Sequence, residues 1–315
     1  MVGPTAIGKT ELAIRIAEAL STDILSSDSR QFYREIPIGT AQPTAEERAR
    51  APHHFVDFLS IHDAYSSGRF EEDATTWLDG HFADCRTQGR PEVAVMAGGS
   101  GLYVQAVHHG LDDIPADPDV RTALNAAFAQ DGLPPLLAEL ERLDPQHFAA
   151  VDRNNPHRVI RALEVCRCTG RPYSELRRQL RDELTVHPGG WARHRRRPWD
   201  TLTIGLGGPR NWLHERIGRR AKSMVEAGWL EEAERVMPHR DLNALKTVGY
   251  PQLFDVLEGR MDLDTALLKI TEATRQFARR QLTWFHRQSD VHWIDARDLN
   301  RGVDLALHFV RHGHV

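Results

Sequence analysis

The first ten residues carry a spacing that suits phosphate. Gly3-Pro4-Thr5-Ala6-Ile7-Gly8-Lys9-Thr10 fits G-x-x-x-x-G-K-[ST]. In such a loop the glycines let backbone N–H groups turn inward onto phosphate oxygens, and the helix that follows adds the positive end of its dipole. Lys9 is placed to reach a terminal phosphate, and the Thr10 hydroxyl to hold Mg²⁺. A second chemical group comes later, in Asp28-Ser29-Arg30-Gln31. A carboxylate at a strand end beside a phosphate loop can act as general base on an acceptor. Asp-Ser is equally a common turn or helix cap, and spacing leaves the two open. Motors and helicases place an Asp after an apolar strand to hold Mg²⁺ and the attacking water. Here the best such strand, Val93 to Ala97, runs into Gly98-Gly99-Ser100-Gly101 with no acid, which weakens an ATPase reading.

These groups need elements to hold them. Leu12, Ile16 and Leu20 fall at i, i+4, i+8 and predict a helix from Thr10 to Leu20. Asp23 to Ser27 reads as a short strand. Phe70, Ala74, Trp77, Leu78, Phe82 and Cys85 share one helical face, and Glu92 to Ala97 reads as a buried strand. Strands alternating with helices argue for a parallel α/β sheet. Gly110 to Val120 carries two prolines and four acids and reads as a linker. From there to about Gly190 the patterns are helical. Asn155-Pro156 opens a helix as N-cap and first residue, and Gly170-Arg171-Pro172 stops it. Thr201 to Leu206 is a strand again. Helices follow at Asn211 to Ala227, capped by Gly228, and at Leu263 to Arg287, then a candidate last strand at Val291 to Asp295.

The expected fold is therefore α/β, a P-loop NTPase-like parallel sheet core with a helical insertion domain and a helical C-terminal part. Residues 1–117 form the first part of the core, 118–198 the insertion and 199–315 the return. Only Met1 and Val2 precede the phosphate loop, whose strand normally sits inside the sheet. The core is expected to lack that first strand, which leaves its neighbours unpaired.

Composition sets the class of partner. The chain has 315 residues, 41% hydrophobic and 27% charged, an ordinary globular balance. No apolar run reaches the ~18 residues of a membrane span, no secretory signal opens the chain, and three cysteines make no disulfide framework. The expectation is a cytoplasmic enzyme. Net charge is −4, yet residues 189–222 hold nine Lys or Arg against two acids. Arg158 and Arg161 lie three apart on one predicted helix face, next to Arg153 and Arg167. Such local basic surfaces suit a polyanion. Arg193 to Arg197 reads as a phosphate-seeking loop or a solvated run.

The motifs, taken in order, are specific. After Gly3 to Thr10 come Asp28-Ser29-Arg30-Gln31-x-Tyr33 and Ile38-Gly39-Thr40-Ala41-x-Pro43. Pro52-His53-His54, Tyr65-Ser66, Gly98-Gly99-Ser100-Gly101-Leu102-Tyr103 and Arg158-x-x-Arg161-Ala162-Leu163-Glu164 follow. Val248-Gly249-Tyr250 and Thr274-Arg275-Gln276-x-Ala278-Arg279-Arg280-Gln281-x-Thr283-Trp284 complete the series. This order resembles the tRNA dimethylallyltransferases, which attach an isopentenyl group to N6 of adenosine 37, just 3′ of the anticodon. Pro251 departs from the polar or basic residue that the family usually carries there.

The resemblance implies a donor, dimethylallyl diphosphate, whose diphosphate is held by Gly3, Pro4, Thr5, Ala6, Ile7, Gly8, Lys9 and Thr10. It implies Mg²⁺ on Thr10, Arg220 beside the leaving diphosphate, and Asp28 as base on N6. It also implies contacts to the tRNA anticodon stem-loop at Asp28, Ser29, Arg30, Gln31, Ser100, Arg121, His157, Arg158, Val159, Ile160, Arg161, Lys246, Thr247, Val248, Gly249, Tyr250 and Pro251. The chain is expected to act as a monomer, off the membrane. Two other enzymes fit the phosphate loop and Asp28. One is an ATP-binding small-molecule kinase. The other is a prenyltransferase acting on free adenine nucleotides. The basic stretches and the helical insertion favour a macromolecular acceptor, and the loop with Asp28 disfavours a non-catalytic RNA-binding module.

Overall fold

The computed structural model describes residues 1–112, 114–183 and 197–314. Helix α1 (Lys9–Leu20) turns Leu12, Ala13, Ile16 and Ala17 inward, as the 3.6-residue period requires. There follow β1 (Ile24–Ser26), α2 (Ala45–Arg50), β2 (His53–His54), α3 (Ser67–Thr87), β3 (Val95–Ala97) and α4 (Gly101–His109). Five helices come next: α5 (Pro118–Asp131), α6 (Pro134–Leu143), α7 (Pro145–Ala150), α8 (Pro156–Thr169) and α9 (Tyr173–Glu183). The chain then forms β4 (Thr203–Gly207), α10 (Arg210–Glu226), α11 (Trp229–Val236), α12 (Tyr250–Leu257), α13 (Leu263–Phe285), β5 (Val291–Asp295) and α14 (Leu299–His312).

Every strand pairing is parallel. β1 lies between β2 and β3, with Leu25 opposite His54 on one side and Met96 on the other. β4 pairs with β5 over five residues. Met1 and Val2 join the two groups. Val2 N donates to Ile204 O (2.9 Å), Leu206 N donates to Val2 O (2.9 Å), and Gly98 N donates to Met1 O (3.1 Å). The slot of the expected first strand, between β3 and β4, is thus held by two residues. Ile24 and Leu25 enter different apolar clusters, as successive strand residues must. Ile24 joins Leu12, Ile16, Ile204, Leu206 and Ile294. Leu25 joins Phe32, Phe70, Leu78 and Val107.

Among the described residues, 1–110 and 197–314 make one unit and 111–183 a second. The second has its own core, built on Leu124, Leu136, Leu140, Val159 and Leu163. Two sequence readings need correction. The stretch Gly110 to Val120 is not linker throughout: Pro118 is the first residue of α5, and the Asp117 carboxylate accepts from Asp119 N and Val120 N. Its prolines and acids are helix-start chemistry. Gly228 is not the cap of α10, whose C-cap is Ala227, but the N-cap of α11.

Candidate active site

The phosphate loop runs from Gly3 into the first turn of α1. Gly8, the N-cap, has φ 113°, a conformation that side chains oppose. Ile7 is buried in the core, so this position offers its backbone amide alone. Three side chains hold the loop. Lys9 Nζ donates to Pro4 O (2.8 Å), Arg216 Nε donates to Ala6 O (2.7 Å), and Thr5 N donates to Gln281 Oε1 (2.8 Å). Burial pushes the Lys9 ammonium down to about 8, against the pull of Asp28 and with the push of Arg220. Burial likewise lowers Arg220, while Asp28 opposes the shift. Asp28 thus lies within electrostatic reach of both Lys9 and Arg220.

The Asp28 turn is built with care. Asp28 Oδ1 accepts from Arg30 N (3.0 Å), so the capping reading holds for one oxygen, and the other is left for chemistry. Ser29 N donates to Ser100 Oγ (3.1 Å), and Ser100 Oγ donates to Ser29 Oγ (3.2 Å). The Arg30 guanidinium donates to Asn243 O (2.7 Å). Gln31 is spent inside the protein: Ser26 Oγ donates to its Oε1 (3.0 Å), and its Nε2 donates to Ala41 O (2.9 Å). Its side chain braces the turn.

A cleft of about 490 Å³ brings these parts together. Thr5, Ala6, Asp28 and Arg220 line it with Ser29, Arg30 and Ser100. Lys246, Thr247 and Val248 also face it. Its apolar wall comes from α10 and α13, through Ile217, Met224, Ile270, Phe277 and Trp284, with Trp229 of α11. The α13 residues Ile270, Thr274, Phe277, Gln281 and Trp284 form one stripe at helical spacing. Gln281 stands in the Thr274–Trp284 motif but was given no site role from the sequence. A polar Thr and Gln on an otherwise apolar stripe was the available signal.

Thr10 is the second residue of α1, and its hydroxyl makes no hydrogen bond among the described residues. Mg²⁺ is commonly bound by few protein groups together with substrate phosphates and water. No group of three His, Cys, Asp or Glu side chains among the described residues could hold a metal. One hydroxyl beside a phosphate loop fits an ion whose other ligands are donor oxygens and water.

The remaining predicted contacts divide. Gly249 caps α12 with φ 109°, and Pro251 sits in its first turn. Tyr250 is fully buried and donates to Glu232 Oε1 (2.6 Å), so its side chain is core. In the helical unit His157 and Arg158 are exposed. Val159 and Ile160 are buried; two consecutive positions on the inner face of α8 offer RNA no side chain. Arg121 and Arg161 both pair with the buried carboxylate of Glu164. Arg161 also donates to Pro115 O (3.0 Å) and Ile114 O (2.9 Å). Arg197 is no solvated phosphate seeker: it pairs with Glu71 (2.6 Å) and donates to Val107 O (2.9 Å). Arg193, Arg195 and Arg196 lie outside the described residues.

A parallel sheet centred on a phosphate loop, with a carboxylate facing that loop across a half-apolar cleft, defines an α/β enzyme for group transfer from a phosphorylated donor. The family model for IPP transferases matches residues 31–288. The chain is 43% identical to the tRNA dimethylallyltransferase of Christiangramia forsetii, over 96% of this chain and 94% of that protein. It is 44% identical to tRNA dimethylallyltransferase 2 of Parabacteroides distasonis, over 93% and 92%. The tRNA isopentenylpyrophosphate transferase of Bacillus halodurans is similar in structure, with TM-score 0.66, 34% identity and coverage of 98% of this chain and 94% of that one. The chain belongs to the IPP transferase family, that of the tRNA dimethylallyltransferases.

Proposed function

We propose that the protein transfers the dimethylallyl group of dimethylallyl diphosphate to N6 of adenosine 37 in tRNA. The observation that carries this reading is the single cleft shared by the phosphate loop, Arg220 and Asp28. The N6 nitrogen attacks the allylic carbon, the carbon–oxygen bond to the diphosphate breaks, and its electrons leave with the diphosphate. The N6 proton passes to the free oxygen of Asp28. Lys9, Arg220 and the loop amides stabilise the charge that grows on the leaving group. Thr10 would hold Mg²⁺, which supplies neutralisation of the diphosphate oxygens. The apolar wall of Phe277, Trp284 and Met224 suits an isoprenoid and excludes water from the reacting carbon.

The adenine must leave its stack to enter, at a cost of a few kcal/mol. Ser29, Arg30, Lys246 and Thr247 at the cleft, and His157 and Arg158 on the helical unit, are the side chains proposed to meet the anticodon stem-loop. The loop serves the donor's diphosphate rather than ATP. One chain carries every group of the cleft, so a monomer suffices, and tRNA places the reaction in the cytoplasm.

The test is incubation with labelled dimethylallyl diphosphate, Mg²⁺ and unmodified tRNA, beside AMP and ATP controls. Label on adenosine 37 of tRNA alone is the expected result. Label on AMP makes it an enzyme of free nucleotides. No label, with ATP turned over on a small molecule, overturns prenyl transfer.

A further inference from the structure

Glu232 is a fully buried carboxylate that the reaction above does not use. A carboxylate taken out of water is costly unless its oxygens are filled. Here they are filled by three neutral donors. Ile38 N donates to Oε2 (2.8 Å), Gly39 N donates to Oε1 (2.8 Å), and the Tyr250 hydroxyl donates to Oε1 (2.6 Å). No cation pairs with it among the described residues. Hydrogen bonds to a charged acceptor are the strong kind, so α11 grips the loop at Ile38-Gly39 and the start of α12 together. Gly39 shows how tight the grip is: a Cβ there would lie 2.2 Å from the Tyr250 hydroxyl and 2.3 Å from Trp229 Nε1.

The gripped loop is in turn the support of the Asp28 turn. Thr40 and Ala41, the next two residues, present their carbonyls to Gln31 Nε2 (3.4 and 2.9 Å). Gln42 Nε2 donates back to Gln31 O (3.0 Å) and Tyr33 O (2.8 Å). Gln31 N donates to Asp28 O (3.2 Å). Every link from Glu232 to the backbone of Asp28 is thus a hydrogen bond or one or two residues of chain. Gly39 and Thr40 themselves line the cleft, as do Thr5 and Ala6 of the phosphate loop.

We propose that Glu232 is a positioning residue for the transfer step, fixing the Ile38–Gln42 loop and, through Gln31, the place of Asp28 against the acceptor nitrogen. The proposal rests on the reading of Asp28 as base. Misplacing a reacting group by about 1 Å costs about 10²-fold in rate. Glu232→Gln replaces an accepting oxygen by an NH₂ that must face one of the three donors. The expected result is a fall of about 10- to 100-fold in the single-turnover transfer rate at saturating donor and tRNA. The tRNA Kd should move less than about threefold, a split that a loss of folded protein does not produce.

Measurements are made well below the variant's Tm. If Glu232→Gln does not fold, Tyr250→Phe, which removes one donor and keeps the ring, is expected to lower the same rate about three- to tenfold. A folded Glu232→Gln with a single-turnover rate within twofold of the unmodified enzyme overturns the proposal, as does such a rate in Tyr250→Phe where the first variant cannot be made. Failure of the unmodified enzyme to prenylate tRNA would instead overturn the proposed function.

Discussion

The amide of Thr5 and the side chain of Gln281 meet at 2.8 Å, although 276 residues separate them. The same side chain donates from Nε2 to Gly99 O (2.9 Å). One residue of α13 therefore ties the phosphate loop to the turn after β3, and both line the cleft. Gln281→Ala leaves the part-buried Thr5 amide and the buried Gly99 carbonyl without their partner, a loss of about 1–3 kcal/mol. It should also raise the KM for dimethylallyl diphosphate. Gln281→Glu keeps the acceptor for Thr5 but sets a negative charge beside the loop. Its donor affinity should fall further than its stability. Thermal unfolding and donor KM, measured on both variants, check this; equal KM values for the two would remove the charge argument.

Lys9 carries a pH dependence whose sign is fixed by its environment. Burial brings its ammonium from 10.5 to about 8. Between those two values the unfolded chain holds the proton and the folded chain does not, so stability rises with pH across that window. Diphosphate binding runs the other way. The anion favours the charged lysine, so binding above pH 8 takes up a proton, and affinity falls by up to about tenfold per pH unit. Calorimetric titration with pyrophosphate at pH 7 and pH 9, in buffers of different ionisation enthalpy, measures that uptake against Lys9→Met. Equal uptake by both proteins at pH 9 would mean that Lys9 keeps its ordinary value.

The cap at Asp28 and its proposed role as base can be separated, because only Oδ1 caps the turn. Asp28→Asn keeps an acceptor for Arg30 N and removes the base. Prenyl transfer should fall by about 10²- to 10⁴-fold, with the tRNA Kd nearly unchanged. Asp28→Ala loses the cap as well and should add a stability loss of about 1 kcal/mol. Rapid-quench transfer rates beside tRNA binding distinguish the cases. A rate for Asp28→Asn within tenfold of the unmodified enzyme would assign the proton to another group.

Legibility in the sequence followed the range of the interactions. Asn155 caps α8, Pro156 opens it and Gly170 closes it with φ 68°, all signals carried within a few residues. Val291–Asp295 is a strand with the expected bounds. Met1 and Val2 have too few residues for any period to show. Their place is visible only through hydrogen bonds to Ile204, Leu206 and Gly98. Arg197 and Arg161 looked basic and free because Glu71 and the carbonyls of Ile114 and Pro115 are distant in sequence. The bonds of Glu232 and Gln281 were hidden for the same reason: Gly39 lies 193 residues from Glu232 and Thr5 lies 276 from Gln281, so a polar residue on an apolar stripe was all that local pattern showed of Gln281.

Arg158 and Arg161 stand three apart on α8 and should respond differently to removal. Arg158 is exposed and has no carboxylate partner among the described residues. Arg158→Ala should weaken tRNA binding for all sequences and reduce the slope of log affinity against log salt by about 1. Arg161 is held by Glu164, whose carboxylate burial pushes up and the hydrogen bonds of Arg121 and Arg161 bring down, to a net position below the usual range. Arg161→Ala strips one of two cations from a buried carboxylate that keeps Arg121, and losing a hydrogen bond to a charged group costs about 1.5–3 kcal/mol. Its first effect should be on the stability of the helical unit, with a salt slope close to that of the unmodified enzyme. Because Glu164 is lowered, its contribution is present above pH 4.5 and is lost as pH falls through the folded value. Urea unfolding at pH 4 and pH 7 should therefore show a smaller gap for Glu164→Gln than for the unmodified chain. An equal gap would mean that the Arg121–Glu164–Arg161 cluster adds nothing that titrates.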